Sequence, residues 1–248
     1  MEKIELSLII PVYNYQAKIT SSLDLLVNFL TNLYVEVELI IVNDGSDDNT
    51  RVIIEDYLKS IKINAKLINL EKNLGKGAAV MSGFNNSVGK FKIFTDCDLA
   101  YPVSEVKKIY EALTKGADIA IANRRMPDSI CELNTQLIPM VNKREKSGRL
   151  LNKIIRFLNL TKVTDTQAGL KGFSKEILNK LGSIDSKGFG FDIELLNKAE
   201  KKLKANIVSV PVKYQFSDSS STVSLYADGI NILIEIIKLK IISYSYEK

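Results

Sequence analysis

The sequence predicts an α/β protein built on a mostly parallel sheet flanked by helices on both faces. Three observations carry that expectation. Apolar runs alternate with helix-period stretches through the first half of the chain. The runs are continuously apolar, the pattern of strands buried on both faces. Three of them end in distinctive polar residues, PVYN at 11–14, NDGSDDNT at 43–50 and TDCD at 95–98. Sheets of this kind bind ligands at the carboxyl ends of their strands.

The elements follow in order. Leu6 to Ile10 is an apolar run stopped by Pro11, and a helix-period stretch sets Leu23, Leu26, Val27 and Leu30 on one face. Strands are expected at 37–42, 65–70, 91–95 and 117–122, with helices at 50–60, 77–86 and 104–114 between them. Ser104 is expected to cap the last of these helices. Residues 126–148, rich in Pro, Asn, Lys and Arg, predict an irregular loop. A basic amphipathic helix is expected at 149–158, a polar glycine-containing turn at 165–173, a helix at 191–203 and a strand at 207–212. These elements make one domain over 1–224, with halves 1–125 and 126–224. The tail at 225–248 is apolar at helical spacing, at 230, 233, 234, 237 and 241, with Ile232, Ile236 and Leu239 widening that face. Glu235, Lys238 and Lys240 interrupt it and argue against a span. The protein core, a membrane and a partner subunit are all open as its docking place.

Composition narrows the chemistry. The chain has 248 residues, 46% hydrophobic and 25% charged, enough for a substantial core. A net charge of +5 suits anionic ligands or a membrane surface. No Lys/Arg run is interleaved with aromatics, so no nucleic-acid partner is expected. There is no histidine, which excludes Ser-His and Cys-His catalytic pairs and His-ligated metals. Cys97 and Cys131 lack metal-ligand spacing, and a reducing, cytoplasmic setting is expected. The N-terminus is a poor signal peptide, and no apolar stretch is long enough to cross a bilayer. Membrane attachment would therefore be peripheral or through a membrane partner subunit.

Carboxylates, Lys/Arg, backbone groups and a hard metal ion must then carry any chemistry. Alternate residues of an extended chain point the same way, so Asp96 and Asp98 can converge on one divalent cation. Mg²⁺ takes one or two carboxylates and completes its shell with water and phosphate oxygens. An acidic strand end capping the next helix is the alternative. In NDGSDDNT, Asp44 can accept hydrogen bonds from a base or ribose, and Gly45 permits a tight turn; an ordinary turn into a capped helix is also open. NLGKGAAVMSG at 73–83 sets glycines and Lys76 before a helix without the P-loop or Rossmann spacing. Arg124, Arg125, Lys143, Arg144 and Arg149 surround the expected loop, as a solvated face or as a phosphate grip.

Taken together, PVYN, NDGSDDNT, NLGKGAAVMSG and TDCDLAYP resemble, in this order, the family 2 glycosyltransferases and their GT-A type, Rossmann-like nucleotide-sugar-binding fold. ANRR at 122–125, TDTQAGLKGF at 164–173, FGFDIELLNKA at 189–199 and VPVKY at 210–214 resemble the polyprenyl (dolichyl)-phosphate hexosyltransferases within that family. The resemblance implies a nucleotide-sugar-binding half over 1–125 and an acceptor half over 126–224. It implies a nucleotide-sugar pocket of Pro11, Tyr13, Asn14, Asp44, Gly45, Lys76, Gly77 and Asp96, with Asp96 and Asp98 holding Mg²⁺ or Mn²⁺. Asp98, Arg124 and Arg149 are the implied catalytic residues, and Arg124, Arg149, Gln167 and Lys171 the implied acceptor-phosphate site. Tyr15, Asn43 and Asn49 depart from the family's usual residues, and Ala100 stands where some members supply a third metal ligand.

The expected reaction is inverting transfer of glucose or mannose from UDP-glucose or GDP-mannose to a polyprenyl phosphate, at the cytoplasmic face of a membrane. A same-fold enzyme acting on a sugar hydroxyl is the nearest alternative, with Asp98 as its base. A non-catalytic nucleotide-sugar-binding module is a further one. A sugar-phosphate nucleotidyltransferase would need a glycine-rich G-T-R signature that is absent.

Overall fold

The structure, a computed structural model, describes residues 4–132, 138–186, 188, 190–215, 236–241 and 243, with backbone alone for 138–145. β1 (Leu6–Val12), β2 (Val37–Asn43), β3 (Ala65–Asn69) and β4 (Phe91–Thr95) form a parallel half-sheet in the order β3-β2-β1-β4. α1 (Ile19–Thr31), α2 (Thr50–Leu58), α3 (Lys76–Asn85) and α4 (Val103–Thr114) connect and flank these strands. Burial explains the continuous apolar runs: β1 is buried along its whole length, and Leu8, Ile9, Ile10, Leu39, Ile40 and Ile41 are fully enclosed.

Pro11 does not stop β1; it lies inside it, opposite Val42. Leu6 donates its N–H toward the β2 side, to Glu36, so the odd positions of β1 face β4. The ladder with β4 ends at the Ile9–Phe94 pair. The next bond of that ladder would come from the N–H of residue 11, which proline lacks, so the pairing with β4 stops there while β1 continues against β2.

The second half completes the same sheet. β5 (Ile119–Ala122), β7 (Leu170–Ser174) and β8 (Ile207–Val210) extend it to β3-β2-β1-β4-β7-β5-β8. β7 is antiparallel to both neighbours, so the sheet is mostly parallel. Here the structure departs from the expected polar turn at 165–173. Only 165–169 turns; Leu170 to Ser174 is a buried central strand. Lys171 and Gly172 break up the apolar run in sequence, and each has a packing reason. A Cβ on Gly172 would stand 2.6 Å from Ile109 and 2.8 Å from Leu113, so α4 rests directly on the strand. Lys171 lies over the ring of Phe94.

The described residues of the expected loop at 126–148 include a strand and a helix. β6 (Ile130–Glu132) pairs in parallel with β9 (Lys213–Gln215), and α5 runs over Ile138–Phe157. Lys, Arg, Glu and Met are strong helix formers. Pro139 falls in the first helical turn, where an N–H has no intrahelical partner. The side chains of Lys143 and Arg144 lie outside the described set. α4 starts at Val103 after Pro102, leaving Ser104 exposed inside the first turn rather than at the cap. α6 (Lys175–Leu181) is capped instead by Ser174, whose Oγ accepts from the Ile177 N–H at 3.2 Å. α7 (Phe191–Asn197) runs into a π-helical turn over Lys198–Lys202.

The tail residues within view dock on the protein core. Ile236 and Leu239 pack with Ile155 of α5, Leu160 and Ile193 of α7 in a second apolar cluster. Asn197 donates to Leu160 O at 2.7 Å and to Ser243 Oγ at 3.3 Å. Residues 225–235, 242 and 244–248 of the expected tail, and Phe189 of FGFDIELLNKA, lie outside the described residues. Among the described residues no helix is long and apolar enough to cross a membrane.

This docking predicts that Leu239→Ala lowers the unfolding free energy by about 2 to 5 kcal/mol. Urea denaturation measures it, and an undocked tail would leave the midpoint unchanged.

Candidate active site

The loops leaving β1 and β2 are stitched together by their own polar side chains. Asn14 sits at φ 47° and donates its N–H to Ser46 Oγ at 3.0 Å, while its Oδ1 accepts from the Asp47 N–H at 2.9 Å. The Tyr15 N–H donates to Thr50 Oγ1 at 2.8 Å, and Tyr13 OH reaches Asp47 at 3.4 Å. These bonds hold PVYN and NDGSDDNT as one rim. Gly45 is obligatory twice over: its φ is 65°, and a Cβ there would collide with the backbone of Lys72.

Asp44 is only 3% exposed and fastens a third loop to this rim. Its Oδ1 accepts from the Leu74 N–H at 2.8 Å and its Oδ2 from the Gly75 N–H at 2.9 Å. Burial raises its pKa, against the pull of those two amides. Each oxygen keeps a further lone pair for a ligand. Gly75, at φ 95°, turns the chain into α3, whose first residues are Lys76 and the buried Gly77. Pro11 is buried under the same rim.

At the end of β4 the chain makes a tight turn. The Leu99 N–H donates to Asp96 O at 3.2 Å, and Leu99 takes φ 50°, a conformation that costs a non-glycine residue energy. Asp98 Oδ1 accepts from the Ala100 N–H at 3.1 Å, and Ala100 O accepts from the Gln215 N–H at 2.8 Å. The β6–β9 ribbon thus braces the turn that aims the two aspartates. Burial, and then the neighbouring Asp96 charge, push the Asp98 pKa up. Cys97, between them, is pushed up by burial and by both carboxylates, so it is a thiol at neutral pH.

Asp96 is enclosed. Its N–H donates to Gly169 O at 3.1 Å, and a Cβ on Gly169 would collide with its Oδ2. Its Oδ1 lies 2.5 Å from Lys76 Nζ. Beneath, Lys171 Nζ bonds Asp192 Oδ1 at 2.6 Å and Ala168 O at 2.5 Å, with both groups buried. Burial lowers the Lys171 pKa and raises that of Asp192, against their mutual attraction. The Phe94 ring carries both ammoniums, Lys76 at 5.6 Å and Lys171 at 5.3 Å from its centroid. Lys171 therefore belongs to the floor of the site; its ammonium is tied to Asp192 rather than presented to an acceptor phosphate.

Arg124 is held by Asp165 through three bonds: Nε at 2.8 Å, Nη2 at 2.7 Å and its own N–H at 3.0 Å. Arg125 Nε lies 4.0 Å from the same carboxylate. Asp165 itself is fully buried, and its pKa is lowered by Arg124 against the effect of burial. The next residue, Thr166, bonds through N–H and hydroxyl to Asn152 Oδ1 of α5, both at 3.0 Å. The same short segment reaches the aspartates, since Gly169, four residues after Asp165, accepts from the Asp96 N–H, which puts the arginine site and the aspartate site in one neighbourhood. Gln167 is half-buried in the connecting turn, and Arg149 is exposed on α5.

The residue types fit a hard divalent ion. Asp96 and Asp98 offer two carboxylates, the number Mg²⁺ commonly takes when substrate phosphate completes its shell. Among the described residues no group of three or more acidic, Cys or His side chains adds to them. Two neighbouring half-buried carboxylates, one with a raised pKa, are the environment that a cation relieves. Asp165, Gly169 and Asp192 were not singled out in the sequence, although each stands in a quoted motif. Their roles depend on partners 41, 73 and 21 residues away, at Arg124, Asp96 and Lys171, which no local spacing reveals.

The chain is 28% identical over 255 residues to a dolichyl-phosphate beta-glucosyltransferase of Dictyostelium discoideum, covering 97% of this chain and 75% of that protein. It is 26% identical over 211 residues to a polyprenol monophosphomannose synthase of Mycolicibacterium smegmatis, covering 83% and 76%. A solved structure of glucosyl-3-phosphoglycerate synthase from Mycobacterium tuberculosis, in complex with Mn²⁺, uridine diphosphate and glucosyl-3-phosphoglycerate, superposes with a TM-score of 0.67. It is 18% identical, over 95% of this chain and 80% of that one, a likeness of fold. The family model for glycosyl transferase family 2 matches residues 7–182, and the chain belongs to that family.

Proposed function

We propose that this protein transfers a hexose, with inversion, from a nucleotide diphosphate sugar to the phosphate of a polyprenyl lipid. The observation that carries the reading is that one short segment, 165–169, holds both groups: Asp165 fixes Arg124, and Gly169 bonds the backbone of Asp96, which with Asp98 makes a two-carboxylate centre. One suits a donor diphosphate, the other an acceptor phosphate. The relatives named for dolichyl-phosphate and polyprenol-phosphate sugars support that pairing. Glucose from UDP-glucose and mannose from GDP-mannose are the candidate transfers.

The rim formed by Pro11, Tyr13, Asn14, Asp44 and Gly45 receives the nucleoside, and Lys76 and Gly77 line the diphosphate side. Asp96 and Asp98 hold Mg²⁺ or Mn²⁺, which supplies neutralisation of the charge that develops on the departing diphosphate. The fold neighbour crystallised with Mn²⁺ and uridine diphosphate is consistent with that assignment. Arg124, its Nε and one Nη held by Asp165, presents its remaining donors to the acceptor phosphate. Gln167 supports the site from the adjoining turn, and Arg149 adds positive charge from α5. A phosphate monoester, with a second pKa of about 6, is ionised near neutrality and attacks the anomeric carbon without a strong base. A chain without histidine can therefore run this reaction.

The protein meets its lipid substrate at a membrane surface. The outer face of α5 carries Lys146, Arg149, Leu150, Lys153, Arg156 and Phe157. Leu150 is 60% and Phe157 89% exposed, and the docked tail exposes Ile237 and Ile241. Basic side chains beside exposed apolar ones suit an anionic bilayer interface, and the cytoplasmic leaflet is the expected one.

Labelled donor sugar, Mg²⁺ and a short polyprenyl phosphate are expected to give an organic-extractable, acid-labile product; transfer only to a sugar hydroxyl would sink the reading. In that assay Asp98→Asn is expected to lose at least about a hundredfold in kcat/KM, more than the loss for a residue that merely supports a ligand. Asp165→Asn, by freeing Arg124, is expected to raise KM for the polyprenyl phosphate about tenfold or more while leaving KM for the donor little changed. In vesicle flotation the protein is expected to float with anionic but not with neutral vesicles, and Phe157→Asp to reduce the floating fraction; flotation unaffected by both would remove α5 from the interface.

A further inference from the structure

Asp96 already has a cation. Its Oδ1 is 2.5 Å from Lys76 Nζ, while Gly169 closes in on Oδ2 so tightly that a Cβ there would collide with it. The second ammonium nearby, Lys171, is tied to Asp192 and Ala168 O, so Lys76 is the lysine that serves Asp96. Lys76 is partly exposed, with 21% of its side chain accessible, and it is the first residue of α3. It therefore sits at the mouth of the site while Lys171 is sealed beneath.

We propose that Lys76 is a resident counter-ion that makes metal binding depend on the donor. Without donor, its ammonium holds Asp96 Oδ1 and opposes a divalent ion seeking the same oxygen. When metal and a nucleoside diphosphate enter together, the diphosphate gives Lys76 a new anionic partner, and Asp96 is released to the metal. An ammonium and a divalent ion within a few ångströms repel strongly in a partly desolvated site, and the incoming phosphate charge cancels that repulsion. Metal and nucleotide then favour each other's binding by the same factor, as linkage requires. No covalent step is involved; the lysine sets the order in which the site fills. The idea rests on Asp96 and Asp98 being the metal site, and the test below separates the two.

Mn²⁺ is titrated into the full chain, alone and with UDP or GDP, and free Mn²⁺ is followed by electron paramagnetic resonance. Wild type is expected to bind Mn²⁺ weakly alone and more tightly with the matching nucleotide. Lys76→Met is expected to bind Mn²⁺ alone at least tenfold more tightly, about 1.4 kcal/mol, with a smaller gain from nucleotide. Lys76→Arg, which keeps the charge, is expected to behave as wild type. Lys76→Gln provides the same reading should the methionine variant fold poorly, and Mn²⁺ is expected to raise the melting midpoint of either neutral variant more than that of wild type. The lysine proposal is overturned if the neutral variants bind Mn²⁺ alone no more tightly than wild type while Asp96→Asn still abolishes binding of Mn²⁺ with nucleotide. If Asp96→Asn and Asp98→Asn both bind Mn²⁺ with nucleotide as wild type does, the metal site itself is misassigned and the proposal falls with it.

Discussion

The close approach of Gly169 to Asp96 is the constraint on which the site depends. The two residues share a backbone hydrogen bond, and the space a side chain would occupy is filled by the Asp96 carboxylate. Asp96 directly follows a strand of the first half, and Gly169 directly precedes a strand of the second. Their contact fixes the register of β4 against antiparallel β7, with Thr95 opposite Leu170. Within a few residues of Gly169, Asp165 fixes Arg124, Thr166 fixes α5 through Asn152, and Lys171 fixes α7 through Asp192. One short segment thereby positions the carboxylates, the arginine and the two helices behind them.

The segment also manages charge. Lys76, Asp96, Asp98, Lys171, Asp192, Arg124 and Asp165 lie at or beneath the sheet's ligand-binding end, and removing any one partner from a buried pair leaves an uncompensated charge. Phe94 shares its ring between two ammoniums, which keeps both lysines close without direct hydrogen bonds between them. Acceptor and donor are both anionic, so a site that balances its charges internally beforehand can rearrange partners when they bind. The strained Leu99 turn, braced by Gln215, is part of the same preorganisation.

The first half of the fold was legible because local signals and burial agree there. β4 falls at the expected residues, Phe91 to Thr95, and the expected boundaries of β2, β3, α2 and α3 lie within two residues of the observed ones. The carboxylate pair and the neighbouring loops were legible for the same reason, since each ends a strand. β7 was hidden because a buried lysine and a glycine break the apolar run of a central strand; only Asp192, Phe94 and α4, all distant in sequence, explain them. α5 was read too short because residues 126–148 are rich in Pro, Asn, Lys and Arg, and a proline falls in its first turn. Lys171 was legible as important but not as internal, since a lysine in a glycine-rich motif carries no mark of its burial. The tail's apolar spacing was visible, yet its destination required the complementary surface of Ile155, Leu160 and Ile193.

The central claim is inverting transfer from a nucleotide diphosphate sugar to a lipid phosphate, directed by a two-carboxylate centre and an anchored arginine. The most direct measurement is the anomeric configuration and linkage of the purified product by proton and phosphorus NMR, starting from an α-linked donor. The account predicts a β-linked hexosyl phosphodiester of the polyprenol. An α-linked product, or a sugar joined to a hydroxyl instead of a phosphate, would contradict it.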